Sequence, residues 1–358
     1  MAWIEKRQRQ HHVAHKVYWR DPSGKVRTRT FTRSIDAQRF ARDVEHRKDR
    51  GDYIDPAAGN MTLAEMVDHY LGTADLRPTT AAKYETLGRL YLTDGIGQQP
   101  IRTITKADVR SLYAELRRRE KGTATIEAVA RLLHRVFEVA VDEDRIGRNP
   151  AHGVRVAPAD RRPARFLTEA EVAAIADGVP ARFRALVWTL ALGGLRIGEA
   201  SALRVRHLDL KAGTIRVEES SPEVAGRKIT GPTKSGKART VDTPLELRKM
   251  LGDHLDAYGN RFAPDSYVFT GPEGGQVRQN AFRKRIFQPA AERAGIEPVP
   301  TVHDLRHTAA SFMARSGFTL LEAASQLGHG ATTMTARYSH VFPSERQAKA
   351  ARLGELIG

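Results

Sequence analysis

The sequence of 358 residues predicts a mainly α-helical protein with small β-sheets, divided into three domains. Three observations predict this class. Two short runs between 17 and 31 alternate in character around a turn, as strands of a hairpin do. Four segments between 62 and 144 space their apolar residues three and four apart, without a strand pattern. Beyond 165, a few strand-like runs at 213–218, 227–229 and 239–241 interrupt a sequence that is otherwise helical.

The first domain, residues 1–58, is predicted as a three-stranded sheet followed by a helix. Its turn is Asp21-Pro22-Ser23-Gly24, with proline at the second position and glycine at the fourth. Ser34 is suited to cap the helix, and Gly51 to end it. The predicted elements are strands at 4–9, 17–20 and 26–31 and a helix from Ser34 to about Arg50.

The second domain, residues 59–156, is predicted as a small helical bundle. Thr62 and Glu65 form a capping box, and Thr105 with Asp108 resembles one. The predicted helices begin at about residues 62, 80, 105 and 125, and the last ends near Asp144. A linker rich in proline and arginine, 157–165, separates this domain from the third, 166–358, in which Thr168 and Glu171 form another capping box.

The charge of the chain predicts a polyanionic partner. The formal net charge is +16, and residues 1–33 alone hold nine basic against two acidic side chains. Nucleic acid is the leading candidate, because no apolar stretch is long enough to span a bilayer. Cysteine is absent and no apolar region follows the N-terminus, so we expect a cytoplasmic protein without disulfides or a membrane association.

Several basic side chains are candidates for DNA contact. We expect the first hairpin to present Lys25, Arg27 and Arg29 on its exposed face, since a β-ribbon fits the major groove. In the helical domain, Arg131 and Arg135 lie four residues apart and therefore share one helix face. Thr80, where a helix is predicted to open, is a further candidate.

Six residues in the second half of the chain could act on a phosphodiester. His303 and Arg306, three apart on a predicted helix capped by Thr301, would point to one spot near its N-terminus, where an anion is favoured. Arg196 follows two glycines and enters a helix in which Glu199 could orient it. The set in chain order is Arg196, Lys234, His303, Arg306, His329 and Tyr338.

The lysine assignment has a rival, because Lys237 lies three residues from Lys234 in the same turn. Each of the six residues alone has an ordinary structural explanation, and their order is what indicates function. An arginine in an R-x-G-E helix start, a lysine between strands, H-x-x-R, a histidine after Leu-Gly and a tyrosine nine residues later resemble the tyrosine recombinase, or phage integrase, family. The resemblance covers residues 62–358.

The resemblance implies a mechanism and a domain plan. Tyr338 would attack the scissile phosphate, the arginines and histidines would stabilise the transition state, and Lys234 would protonate the leaving 5′-oxygen, without cofactor or metal. The first domain is similar to the arm-type DNA-binding domain of integrases, the second to their core-binding (SAM-like) domain, and the third to their catalytic domain. Implied partners are double-stranded DNA at core and arm sites and three further copies in a tetramer. A host DNA-bending protein and an excisionase are candidates.

Three other functions stay open at this stage. A type IB topoisomerase uses the same chemistry, but relaxes DNA as a monomer and would leave the basic first domain unexplained. A DNA-binding regulator that has lost catalysis is opposed by the intact set of six residues. A phosphoesterase that uses H-x-x-R would not account for the charge.

Overall fold

The computed structural model describes residues 2–9, 12–21, 24–49, 58–157, 164–224, 226–233, 236–259 and 261–328. The chain divides into two compact units, Met1–Arg161 and Arg162–Gly358. In the first unit, the sheet module and the helical segment have separate apolar cores. The three predicted domains and their boundaries remain predictions.

The sheet module begins the first unit. Its strands are β1 (Trp3–Arg9), β2 (His12–Arg20) and β3 (Val26–Phe31), and helix α1 (Ser34–Asp49) follows. The sheet is antiparallel in the order β1-β2-β3. Val17 and Trp19 of β2 pack with Ala37 and Val44 of α1 to form the module's buried core. All four elements were predicted, with bounds that differ by a few residues.

Four α-helices lie in the described residues 58–157 of the first unit. They are α2 (Leu63–Thr73), α3 (Pro78–Tyr91), α4 (Lys106–Arg118) and α5 (Thr123–Asp142). The capping pairs Thr62 with Glu65 and Thr105 with Asp108 are formed, so the two helix starts predicted from them are confirmed.

Two helix starts differ from prediction by about two residues. Helix α3 begins at Pro78 rather than at Thr80, because the fixed φ of proline suits the first helical position and Arg77 takes the N-cap position. Helix α5 begins directly after Gly122, at Thr123. Thr80 therefore lies inside the first turn of α3.

The second unit is mainly helical around α7, which packs against α6, α9 and α12. Most of the apolar run 185–195 lies in α7. The helices are α6 (Glu169–Gly178), α7 (Ala181–Gly193), α8 (Ile197–Ala202), α9 (Leu245–Tyr258), α10 (Gln279–Ala281), α11 (Gln288–Arg293), α12 (Val302–Arg315) and α13 (Leu320–Leu327), with a π-helical turn, Phe282–Phe287, joining α10 to α11.

Short strands lie between α8 and α9. They are β4 (Leu208–Asp209), β5 (Thr214–Val217), β6 (Glu219–Ser220), β7 (Glu223–Val224), β8 (Arg227–Lys228), β9 (Gly231–Pro232) and β10 (Arg239–Asp242). The sheet order is β10-β5-β4, whereas β6 pairs with β9 and β7 with β8.

The two strands predicted at 227–229 and 239–241 are present as β8 and β10, but they do not pair with each other across the turn that contains Lys234. Residues 219–232 pair among themselves, with Glu219 opposite Pro232 and Glu223 opposite Lys228, while β10 pairs with β5. The mainly α-helical class with small sheets is confirmed. In the described part of the chain, no helix has the length and apolarity required to cross a membrane.

Candidate active site

A glycine corner places Arg196. Helix α7 ends at Gly193, and Gly194 follows with φ 64°, in the left-handed region that favours glycine. A Cβ atom at Gly194 would lie 2.3 Å from Leu327 Cδ2 and 3.2 Å from Ala309 Cβ, so this position also lacks space for a side chain. The corner brings Arg196 to the N-cap position of α8, as predicted.

Glu199, one turn into α8, holds Arg196 at two points. The backbone N–H of Arg196 donates to Glu199 Oε2 at 2.8 Å, and Arg196 Nη1 donates to Oε1 at 2.7 Å. The Glu199 side chain is 1% exposed and that of Arg196 is 30% exposed. The buried carboxylate of Glu199 thus anchors the guanidinium of Arg196, which is still exposed enough to contact a phosphate.

Arg306 lies one turn into α12 and is buried, with 1% of its side chain exposed. The helix starts at a capping box in which Thr301 Oγ1 accepts from the N–H of Asp304, as predicted. Arg306 Nη1 donates to the carbonyl oxygen of Gly194 at 2.6 Å, and Nη2 donates to that of Leu327. This guanidinium therefore joins the glycine corner to the end of α13.

His303 occupies the first turn of the same helix and is exposed. Its ring contacts that of His307 edge to face, with centroids 4.8 Å apart. Desolvation by its neighbours, followed by the charges of His307, Arg306 and Arg196, lowers the pKa of His303 to about 4, although Asp304 raises it. Solvent at its exposed side screens these charges in part, and the direction of the shift leaves the imidazole neutral at pH 7.

Arg239, at the start of β10, belongs to the site. It was not among the site residues predicted from the sequence. Its Nη2 and Nη1 donate to Glu199 Oε2 and Oε1 at 2.7 and 3.1 Å, and its Nε donates to the carbonyl oxygen of Gln326 at 2.8 Å. Strand alternation could have indicated it, because Arg239 is two residues before the buried Val241 and so lies on the core side of β10.

Glu199 thus carries a negative charge among three guanidiniums. Arg306 Nη1 lies 3.9 Å from Glu199 Oε2, in addition to the hydrogen bonds from Arg196 and Arg239. Burial alone would raise the pKa of Glu199. Hydrogen bonds and charge from Arg239, the Arg196 N–H and the charge of Arg306 outweigh it and lower the pKa to about 2.

Lys228 connects the paired segment 219–232 to α8. Its Nζ donates to Ser201 Oγ at 3.1 Å and to the carbonyl oxygen of Ser221 at 3.2 Å. Burial lowers its pKa to about 8; the charge of Glu223 opposes this shift and that of Arg278 adds to it. The segment that precedes Lys234 is therefore fixed against the helix that Arg196 starts.

Three of the six predicted residues, Lys234, His329 and Tyr338, lie outside the described residues. On either side of Lys234, a hydrogen bond links the described residues Thr233 and Lys237: Thr233 Oγ1 donates to the carbonyl oxygen of Lys237 at 2.9 Å. Helix α13 ends at Leu327, and Gly328, with φ 64°, caps it directly before His329. The structure brings Arg196 together with His303 and Arg306, which lie far from it in sequence.

The sequence of this chain is similar to those of known integrases. The model of the phage integrase family matches residues 165–345, about half of the chain. The integrase of prophage phiRv2 from Mycobacterium tuberculosis is 29% identical over 350 residues, which cover 94% of this chain and 91% of the relative. The chain belongs to the phage integrase family.

Solved structures of phage integrase family proteins share the fold. The Tn1549 transposon integrase, in complex with a circular intermediate DNA, superposes with a TM-score of 0.69 at 18% identity, over 82% of this chain and 99% of that one. A lambda integrase tetramer bound to a Holliday junction gives 0.61 at 18% identity, over 89% and 91%. This family member is a site-specific recombinase of the tyrosine type, and its substrate is DNA.

In this family member, β3 places two of the predicted DNA contacts differently from expectation. Arg27 lies opposite Trp19 and Arg29 opposite Val17, so both side chains are on the sheet face that α1 covers. Arg27 Nε contacts Asp21 Oδ2 at 3.0 Å, and the guanidinium of Arg29 lies 5.0 Å from the ring centroid of Phe40. Their predicted position on the open face of the hairpin is wrong, although Arg29 is exposed as predicted and Arg27 is half-buried.

The open face of the sheet carries other side chains. Trp3 and Tyr18 stack with ring centroids 5.3 Å apart, and Trp3 is 46% exposed. Lys16 Nζ lies 5.0 Å from the Tyr18 ring centroid, and Arg7 donates to the Tyr18 hydroxyl at 3.2 Å. We call Trp3, Arg7, Lys16 and Tyr18 the outer sheet face. Lys25 is exposed beside the hairpin turn.

The helical segment presents its predicted DNA contacts from α5 and α3. Arg131 and Arg135 are exposed on one face of α5 and line a depression with Tyr84 of α3 and Arg155. Thr80 is half-buried in the first turn of α3. Basic and aromatic groups therefore lie together on this surface, as phosphate-binding surfaces require.

Proposed function

We propose that this recombinase is an integrase that cuts and rejoins DNA at two attachment sites through a 3′-phosphotyrosine on Tyr338. The catalytic groups would be Arg196, Lys234, His303, Arg306, His329 and Tyr338. The mechanism preserves the energy of the broken phosphodiester in the tyrosyl bond, so rejoining needs no ATP.

The observation that carries the proposal is the docking of the end of α13 onto the arginines of the site. The carbonyl oxygen of Leu327 accepts from Arg306 Nη2, and that of Gln326 accepts from Arg239 Nε. The described chain therefore ends, at Gly328, beside Arg306 and Arg239. This supports a site in which the last two members of the set, His329 and Tyr338, follow directly from the phosphate-binding arginines.

The proposed cleavage step forms one bond and breaks one. The Tyr338 oxygen attacks phosphorus and passes its proton to one of the two imidazoles, His303 or His329. The bond from phosphorus to the 5′-oxygen breaks, and that oxygen takes a proton from Lys234. The extra negative charge on the phosphorane-like transition state is balanced by Arg196 and Arg306. The reverse step uses the 5′-hydroxyl of the other DNA strand.

His303 suits a hydrogen-bond donor better than a cation in this scheme. Its lowered pKa keeps the ring neutral at pH 7, so one ring nitrogen carries a hydrogen and the other does not. A neutral donor stabilises a phosphate oxygen without adding a further charge beside two arginines and His307. His329 is the second imidazole of the proposal.

We further propose that each domain contacts DNA. Residues 1–58 would bind arm sites through the outer sheet face with Lys25 at its edge, in place of Arg27 and Arg29. Residues 59–156 would bind core sites through Thr80, Arg131 and Arg135. Residues 166–358 would hold the scissile phosphate. Basic side chains and aromatic rings on an open sheet suit contacts with phosphates and bases.

The proposed assembly is a tetramer on two attachment sites, as in the solved lambda integrase tetramer bound to a Holliday junction. A host DNA-bending protein and an excisionase would assist at arm sites. Because its substrate is genomic DNA, we expect the protein to act in the cytoplasm of a prokaryotic host.

A two-site assay tests this function against its alternatives. The probe is a supercoiled plasmid carrying the two junction sequences of the genetic element that encodes the protein, as direct repeats. We expect two recombinant circles with the unmodified protein and none with Arg196→Ala, whose phosphate ligand is lost. Relaxation of a plasmid without these sites, with no recombinants, would indicate a topoisomerase instead. Binding to the sites without any strand cleavage would indicate a regulator.

A further inference from the structure

Arg239 connects three segments of the site without being part of the proposed catalytic set. Its side chain is 9% exposed and points to the core side of β10, the same side as Val241. It lies five residues after Lys234 in sequence. Strand β10, which follows the turn that contains Lys234, therefore places the guanidinium of Arg239 in the interior.

The contacts of Arg239 lie on the two helices that border the site. Two nitrogens donate to the two oxygens of Glu199, the residue that anchors Arg196. The third, Nε, donates to the carbonyl oxygen of Gln326 at 2.8 Å. This paired geometry fixes orientation as well as distance, which a lysine ammonium could not do.

The fit of Gly328 against Arg239 gives a second, independent constraint. A Cβ atom at Gly328 would lie 2.9 Å from Arg239 Cδ and 3.1 Å from its Nε. A side chain at position 328 would therefore overlap with Arg239, and the glycine leaves room for the guanidinium at the end of α13.

The charge of Glu199 depends on this arginine. The groups that face the carboxylate are Arg196 on its own helix, Arg239 on β10 and Arg306 on α12, with His303 near the two outer arginines. Arg239 is the largest influence that lowers the pKa of Glu199, against a burial effect that raises it. Without Arg239, the carboxyl would bind a proton at a higher pH and hold Arg196 less firmly.

We infer that Arg239 is a positioning residue for DNA cleavage, which sets the place of Arg196 through Glu199 and the place of the end of α13 through Gln326. The inference rests on the proposed catalytic roles of Arg196 and His329. Arg239 itself is not expected to touch the phosphate, because its three donor nitrogens are engaged by Glu199 and Gln326.

The test compares Arg239→Gln and Arg239→Lys with a matched control, Arg204→Gln. Arg204 lies in the same unit with a side chain 22% exposed, donates to the carbonyl oxygen of Asp265 at 2.6 Å and stacks on Tyr267. Its contacts do not include the candidate site. The probe is a duplex containing one attachment-site junction with a nick near the cleavage position, which traps the covalent adduct.

We expect Arg239→Gln to slow adduct formation about 10- to 100-fold, as small displacements of catalytic groups do, with DNA affinity unchanged. The rate relative to unmodified protein should fall further as the pH decreases from 8 to 5, because Glu199 becomes protonated in the variant. Arg239→Lys should recover part of the rate, and adding Glu199→Gln should remove the extra pH dependence. A rate ratio in Arg239→Gln that equals that of Arg204→Gln at every pH would overturn the inference.

A measurement without DNA separates this inference from the proposed function. Glu199 in the unmodified protein keeps its charge down to a pH of about 2, so its contribution to stability is present above its usual pKa of 4.5 and lost as the pH falls toward 2. In Arg239→Gln part of that contribution is missing at neutral pH. The difference in Tm from unmodified protein should therefore be largest at pH 7 and shrink toward acid pH.

A Tm deficit that is independent of pH would contradict the role of Arg239 in holding the Glu199 charge, whatever the activity. An unmodified protein that forms no adduct, with the expected Tm profile, would instead contradict the proposed function and leave the Arg239 network standing.

Discussion

At the scale of single residues, a carboxylate organises the candidate site. Glu199 is buried, yet its charge is retained because Arg196, Arg239 and Arg306 surround it. A buried ion pair is costly to form unless its hydrogen bonds are complete, and here both carboxylate oxygens accept from guanidinium groups. The hydrogen bonds offset the free-energy cost of burying Glu199, and they hold the three guanidinium groups in a fixed arrangement around it.

Gly194 provides a residue-scale prediction about the corner that precedes Arg196. Gly194→Ala should lower the free energy of unfolding by about 3 kcal/mol, of which about 1–2 come from left-handed φ and the rest from overlap with Leu327. Urea unfolding of both variants measures it. Gly317→Ala is the control, because Gly317 has φ 85° and nothing within 4 Å of its Cβ position. Equal losses in the two variants would contradict the steric part of this explanation.

At the scale of elements, the helix caps could be predicted from the sequence, whereas the contacts between distant segments could not. Thr62, Thr105, Thr168 and Thr301 cap helices as predicted, because the partner of each is three residues away in the same segment. The link between Arg239 and Glu199 joins residues forty positions apart. Its existence depends on how β10 packs against α8, which no local pattern specifies.

The placement of β3 shows why one surface prediction failed. Strand β3 carries polar residues on both sides, so its own alternation does not indicate which side is covered. The register decides it, since Val17 and Trp19 of β2 face α1 and lie opposite Arg29 and Arg27. The apolar residues of the neighbouring strand, rather than the charges of β3, determine the exposed face.

The outer sheet face leads to an element-scale prediction. Lys16→Ala should weaken binding to arm-site DNA and reduce the slope of log affinity against log salt by about one, as the loss of one phosphate contact does. Fluorescence anisotropy between 50 and 200 mM salt measures both quantities.

Arg27→Ala is the matched variant on the covered face. It should lower Tm, because Asp21 is buried and loses an ion pair, and leave the salt slope unchanged. If Arg27→Ala changed the slope of log affinity against log salt more than Lys16→Ala, the DNA contact would lie on the face that carries Arg27 and Arg29, and this prediction would be wrong.

At the scale of the whole molecule, composition predicted the class of partner and residue order predicted the chemistry. A net charge of +16 indicates a polyanion but no reaction. The ordered set from Arg196 to Tyr338 indicates strand transfer, and the membership of the chain in the phage integrase family confirms the recombinase function. Arg196 is far in sequence from His303 and Arg306, and the packing of α12 against α7, with the hydrogen bond from Arg306 to the Gly194 carbonyl, brings them into one site.

The central claim is that Tyr338 is the nucleophile of this site, and the covalent adduct tests it most directly. A nicked attachment-site duplex is incubated with the protein, the adduct is digested with nuclease and protease, and the linked peptide is sequenced by mass spectrometry. We predict a nucleotide on the Tyr338 side chain and no adduct with Tyr338→Phe. A nucleotide on any other residue, or an adduct that persists in Tyr338→Phe, would contradict the claim.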